Sequence, residues 1–225
     1  MKSLKFFLSV ISLMLLAWGC ASGVTVKTNG FLDRKGDWPS VASGSRIYVQ
    51  TSSHAENPLF DQEIAGKIKQ LLQNDGYAVS AKSDAQFSLA YAYEMDQGLT
   101  VTETVSEYHP GDVLYHSGRF KVNGQEGTYS NYETTPGYIT HVPVDTVVYT
   151  RKLVLTVHDI KDADARPVWI GESFSQGTHD DLREMIDYLL VGAFRSFGKD
   201  TQKSLRTVIP FNDPEVMMLR GRSAQ

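Results

Sequence analysis

The chain has 225 residues, with 22 Lys and Arg against 26 Asp and Glu and a single cysteine. Loss of a leader holding Lys2 and Lys5 takes the formal charge to about −6, and no basic stripe or zinc spacing offsets it, so a nucleic-acid partner is disfavoured. One cysteine leaves no internal disulfide, and the roughly 200 residues after the leader are enough for a domain held by its core alone.

Lys2 and Lys5 precede the apolar run from Phe6 to Trp18. A charged start and a short apolar middle are the pattern of a secretory leader, assigned to residues 1–19, and the run is too short to span a bilayer. Leu16-Ala17-Trp18-Gly19-Cys20 resembles the lipobox of bacterial lipoprotein precursors, with Ala17 where Leu is usual. That resemblance implies that Cys20 becomes the acylated N-terminus and anchors the chain to a membrane. Ala17-Trp18-Gly19 also fits the small-x-small rule of ordinary leader cleavage.

Residues 20–44 read as a lipidated tether leading into the domain: Val24 to Thr28 alternates like a strand, and a loop rich in Gly and Ser follows. A single α+β domain is expected over 45–208. Arg46 to Gln50 is a short strand. Asn57 can cap a helix with Pro58 at its first position, Phe60, Ile64, Ile68, Leu71 and Leu72 form its apolar stripe, and Gly76 ends it. Gln86 to Glu94 alternates with Phe87, Leu89, Tyr91 and Tyr93 on one face.

From 98 to 142 the sequence turns to Thr, Tyr and Gly, with turn signals at Pro110-Gly111, Asn123-Gly124 and Pro136-Gly137. This segment reads as a hairpin insertion of low burial. Tyr108, Tyr115, Tyr129, Tyr132 and Tyr138 either form an exposed surface or pack, and tyrosine's use in strands favours packing.

Val144 to Ile160 is a long strand whose hairpin mate is Val168 to Phe174. A second helix, capped by Thr178 with Asp181 three places on, carries the stripe Leu182, Met185, Ile186, Leu189, Leu190, Ala193, Phe194 and Phe197. A short helical piece is expected to Arg206, and residues 209–225 read as a weakly ordered tail. The whole predicts a mixed, mainly antiparallel sheet with two amphipathic helices packed on one face, plus the hairpin insertion.

The order of these features resembles the uncharacterised bacterial envelope lipoproteins of domain of unknown function family 4136. The motifs are Cys20, the helix from Asn57-Pro58-Leu59 to Asn74-Asp75-Gly76-Tyr77, Asp84-Ala85 before an alternating strand, and Pro167-Val168-Trp169-Ile170-Gly171 before the last helix. The Tyr-rich stretch is longer than the family pattern. The resemblance implies an envelope lipoprotein and carries no catalytic residue, cofactor or metal.

Six histidines, His54, His109, His116, His141, His158 and His179, stand in no nucleophile motif. His179-Asp180-Asp181-Glu184 has the types for metal or acid/base work, but acids at a helix start are explained by the helix dipole. His158-Asp159 points to opposite faces of a strand. Asp162 and Asp164 lack the glycine and terminal glutamate of a calcium loop, and Trp169 reads as core rather than a sugar platform. No catalytic, cofactor-binding or metal residue is assigned.

The expectation is a non-enzymatic lipoprotein held through lipid on Cys20 and binding another envelope protein. Ala21 after the cysteine, rather than Asp, points to the outer membrane facing the periplasm. An envelope hydrolase acting on glycan or ester, and a carrier of a small ligand or lipid, are the alternatives.

Overall fold

The computed structural model describes residues 22–33, 41–51, 57–162 and 166–221. The chain divides into two compact units, one of residues 1–98 with 149–225 and one of residues 99–148.

The first unit is built on one sheet. Its strands are β1 (Gly23–Leu32), β2 (Arg46–Val49), β3 (Ala78–Val79), β4 (Phe87–Met95), the second half of β8 (Tyr138–Asp159), β9 (Pro167–Gly177) and β10 (Leu205–Pro210). They lie in the order β10-β1-β9-β8-β4-β2-β3. Only the pairings of β2 with β3 and β4 are parallel; the others are antiparallel. A mixed, mainly antiparallel α+β sheet is thus what the structure shows.

Two helices cover one face. Helix α1 (Pro58–Asn74) starts at Asn57, whose side chain accepts a hydrogen bond from the Phe60 amide at 3.1 Å. Gly76 follows it at φ 82°, where a side chain would be strained. Its residues Ile64, Ile68, Leu71 and Leu72 are buried against Ile47, Val49, Phe87 and Leu89 in one core. Tyr91, at the edge of that core, donates its hydroxyl to the Asp61 carbonyl at 2.9 Å.

Helix α2 (Leu182–Phe194) lies over β1 and β9, with every residue from Met185 to Phe194 buried. Small residues let it approach closely. A Cβ at Gly192 would lie 2.7 Å from Val26 Cγ1, and Ser173 Oγ, on β9, donates to the Leu189 carbonyl at 2.8 Å. Its cap is Asp181, which accepts from the Arg183 amide at 2.7 Å, and not Thr178. The carboxylate one residue before the helix reaches the second amide, which leaves the threonine outside.

Two further expectations are corrected. β1 is no tether, because it is hydrogen-bonded to β10 on one side and β9 on the other, with Val24, Val26 and Thr28 buried. Its alternation was a sign of burial on one face. The C-terminal tail is not loosely ordered either. Leu205 to Pro210 is a sheet strand rather than the end of a helical piece, and α3 (Pro214–Leu219) follows, capped by Asp213 at 3.0 Å from the Glu215 amide. Val216 and Leu219 are buried in the common core, which is why α2 is apolar on nearly all sides.

The second unit is a β-ribbon. Strands β5 (Leu99–His109) and β8 pair from Leu99↔Val148 to His109↔Tyr138, and β6 (Val113–Val122) and β7 (Gln125–Thr134) pair from Val113↔Thr134 to Val122↔Gln125. The register is the same on both sides of the break at 110–112 and 135–137. Across it the Asp112 and Thr135 backbones are still joined, Thr135 N donating to Asp112 O at 2.9 Å. The unit is therefore one continuous hairpin, with strands of roughly 80 Å at about 3.3 Å per residue. It closes at Asn123-Gly124, whose φ values of 53° and 83° make the two-residue turn that suits the twist of a hairpin.

Candidate docking surface

The ribbon has no core. Within residues 99–148 each strand segment has one hydrogen-bonded neighbour among the described residues, and no residue from 99 to 148 is buried. Fifteen of the twenty large apolar side chains exposed among the described residues lie in it, including Leu99, Tyr108, Tyr115, Phe120, Tyr132 and Ile139. The packing expected for the tyrosines is thus overturned. Tyr132 is 68% exposed and Tyr108 65%, because a two-stranded ribbon offers no opposing layer to bury them.

What order the ribbon has comes from cross-strand pairs. Tyr115 and Tyr132 face each other with ring centroids 5.0 Å apart, and the His109 and Tyr138 rings stack at 4.9 Å. Tyr129 lies over Gly118 and Phe120 over Gly127, so close that a Cβ on either glycine would come within 2.5 and 2.6 Å of the ring. Aromatic cover of a glycine opposite stabilises a strand pair that lacks side-chain contact. Isolated hairpins remain marginal, and exposed apolar area on this scale marks an interaction surface.

The residues expected to matter chemically do not converge. Cys20, His54 and Asp164 lie outside the described residues. Ser106 Oγ is 3.1 Å from His141 Nδ1, yet both are exposed on the ribbon, and Asp145 is engaged by the Thr102 hydroxyl at 2.6 Å. His109 bonds Thr140 at 2.8 Å, and His116 lies 3.6 Å from Glu133. His179 offers its backbone carbonyl to Arg151, and Asp181 is the α2 cap. Among the described residues no three His, Cys, Asp or Glu side chains form a metal-ligating group. Trp169 is 1% exposed, donating Nε1 to the Lys199 carbonyl at 3.0 Å and packing edge-on to Phe197, so it is core, as expected.

A polar cleft of about 440 Å³ between the helices is lined by Glu63, Lys67, Arg183, Glu184, Asp187 and Arg220, with Leu219. Its charges neutralise one another. Lys67 lies 2.8 Å from Glu63 and 2.7 Å from Asp187, Arg220 lies 3.1 Å from Asp187, and Arg183 lies 2.7 Å from Glu63. The Lys67 hydrogen bond, helped by Arg183, holds the Glu63 carboxyl below its usual range against the opposing effect of burial. Glu63 and Asp187 are both held in ion pairs, Glu184 gives its backbone carbonyl to Arg220 at 2.7 Å, and the network ties α1, α2 and α3 together. Sequence reasoning passed over Asp187, although a carboxylate inside an otherwise apolar helix was the available signal.

Arg151 is a buried cation held by carbonyls. Its guanidinium donates to Gly177 O at 3.3 Å and to His179 O, and burial lowers its pKa, with Asp96 and Asp180 opposing. It fixes the passage from β9 to α2. Asp96 accepts from the Thr150 and Gly98 amides at 2.9 and 3.0 Å, and the Thr150 bond above all holds its carboxyl low.

No family model matches the chain, and no curated protein matches it. Among solved structures, it is similar to a PDZ domain protein from Parabacteroides distasonis at 12% identity and a TM-score of 0.44, covering 82% of this chain. The chain spans 39% of that protein's length. It is also similar to PelC from Paraburkholderia phytofirmans, a dodecamer in two crystal forms, at 12% and 9% identity with TM-scores of 0.38 and 0.39. PelC matches 75% of this chain over 93% and 94% of its own length.

Proposed function

We propose that the chain is a lipoprotein of the bacterial envelope, acylated at Cys20 and facing the periplasm from the outer membrane, that works by binding another envelope protein through the ribbon of residues 99–148. The observation that carries the binding role is that ribbon: two strands, unpaired outer edges, no buried residue, and most of the exposed apolar side chains. Strand edges of this kind bind by adding a strand, with main-chain hydrogen bonds supplying affinity and alternate side chains supplying selectivity. The address rests on the lysine-led leader, the Leu16 to Cys20 stretch and the resemblance to family 4136.

Acylation and binding support each other. Confinement to a surface raises the effective concentration of a partner in the same layer, so modest edge contacts suffice. Among the described residues, the histidines and carboxylates singled out in the sequence do not gather with a nucleophile at one buried site that would favour an enzymatic reading. A carrier would need room between helices and sheet, where Ile64, Ile68, Leu72, Leu153, Leu155, Ile186 and Leu189 are packed without exposure.

Mass spectrometry of the mature N-terminus from membrane fractions is expected to find Cys20 acylated; an unmodified Cys20, or cleavage elsewhere, refutes the anchor. Crosslinking in intact envelopes should capture a reproducible partner, and joining Gly98 to Tyr149 in place of the ribbon should abolish that capture while the rest of the chain stays folded. Capture that survives the deletion overturns the ribbon's role.

A further inference from the structure

Helices α1 and α2 cover one face of the sheet in the first unit, and the other face carries the alternate residues of the same strands. Toward β10 that open face is basic. Arg206 on β10 lies directly across from Lys27 on β1, Lys27 lies across from Phe174 on β9, and Phe174 lies across from Lys152 on β8. Antiparallel partners share a face, so the four side chains make one row across the sheet. Like charges directly opposite each other destabilise a strand pair, and Lys27 and Arg206 have no acidic partner among the described residues.

The acids of that face are engaged or distant. Glu172 lies 3.7 Å from Lys152. Glu94 stands opposite Lys152 on β4, three strands from Lys27, or about 14 Å at the usual strand spacing. Asp96 accepts from the Thr150 and Gly98 amides.

At the basic end of the row lies a concavity of about 480 Å³, lined by Thr25, Lys27, Thr150, Phe174, Gln176 and Arg206. None of these is acidic. Gln176 Nε2 donates to Thr150 Oγ1 at 3.2 Å, which leaves the hydroxyl's own hydrogen for an oxygen in the concavity. Two cations beside hydroxyl donors are the chemistry that holds a phosphate. The source of one is set by β1 itself, because Lys27 lies seven positions after Cys20, at most about 25 Å of extended chain.

Taking the acylated Cys20 proposed above as the anchor, we infer that this concavity holds the phosphate of an anionic phospholipid from the bilayer that carries the anchor. The open face of the sheet, rather than its helix layer, then meets the headgroups. Confinement by the acyl chains keeps lipid at high effective concentration beside the site, so two cations are enough to hold it.

Native mass spectrometry tests this, on the full-length mature protein purified from membranes in neutral detergent and given phosphatidylglycerol or phosphatidylcholine of equal chain length. One phosphatidylglycerol per chain is expected, held about tenfold more tightly than phosphatidylcholine, the scale of two basic side chains at an anionic surface. Lys27→Gln with Arg206→Gln should bring the two lipids to within about twofold of each other. Lys27→Arg with Arg206→Lys should keep the preference, as should Arg119→Gln with Lys121→Gln in the ribbon. All four side chains are exposed, so the variants keep the fold. Equal binding of both lipids, or a preference that survives the double glutamine change, overturns the site. Inorganic phosphate bound where no phospholipid is held overturns the headgroup as its ligand. The same spectra weigh the N-terminus: a chain without acyl groups refutes the anchor and this inference with it, whereas an acylated chain without the preference refutes the inference alone.

Discussion

The sheet of the first unit and the ribbon of the second are written in nearly the same alphabet of alternating Val, Thr, Tyr and Leu, yet one buries every second residue and the other buries none. In β8 the contrast falls within one strand: Leu153, Leu155 and Val157 are wholly buried, whereas Val142, Val144 and Val147 are each about two-fifths exposed. Alternation makes a strand two-faced, but whether either face is dry depends on a layer to cover it. Helices α1 and α2 provide that layer in the first unit. The second has none of its own, and that lack is the physical basis for reading it as a surface for another chain.

The comparison is broken most severely in the helix layer. Asp187→Ala removes the buried carboxylate shared by Lys67 and Arg220 and leaves Lys67 with Glu63 alone, at a cost of about 3–5 kcal/mol in denaturant unfolding. Leu155→Ala, which empties a fully buried site under the helices, should cost about 2–5 kcal/mol. Acid should act next. Because the folded carboxyl of Glu63 sits below its ordinary value of 4.5, its contribution is complete above that pH and is lost as pH falls through the lowered value, so Glu63→Gln should flatten the acid side of the stability profile. Tyr132→Ala in the ribbon should shift the unfolding free energy by no more than about 0.5 kcal/mol. A loss there as large as at Leu155 would mean the ribbon is covered after all.

Much of the first unit was legible because its signals are local. Asn57 and Pro58 start α1, Gly76 stops it, and Phe87, Leu89, Leu153 and Leu155 mark strands by period alone. The failures came where the deciding contact is distant in sequence. Val24 to Thr28 alternates like a strand, but that it lies inside the sheet rather than in a tether shows only when β9 and β10 pair on both sides of it, and Leu205 and Arg206 read as the end of a helical piece until β1 supplies the mate. The candidate site was legible only in outline. Asn123-Gly124 and the run of tyrosines announce a hairpin, but that the pairing register is the same on both sides of Pro110 and Pro136, and that no residue of 99–148 is buried, are facts of three-dimensional pairing. Asp187 was missed because an apolar stripe hides the one carboxylate that the helix turns toward a lysine from another element.

The position of β1 bears on the anchor in a further way. The sheet begins at Gly23, three positions after Cys20, and fully extended chain spans at most about 3.6 Å per residue. With Cys20 acylated, the leash is only about 11 Å long. On the proposed anchor, the folded sheet of the first unit would therefore begin next to the lipid rather than at the end of a long line. Distance from the lipid is then graduated along the fold itself, so lengthening the leash with inserted Gly-Ser residues changes the height at which partners are met without touching any contact they make.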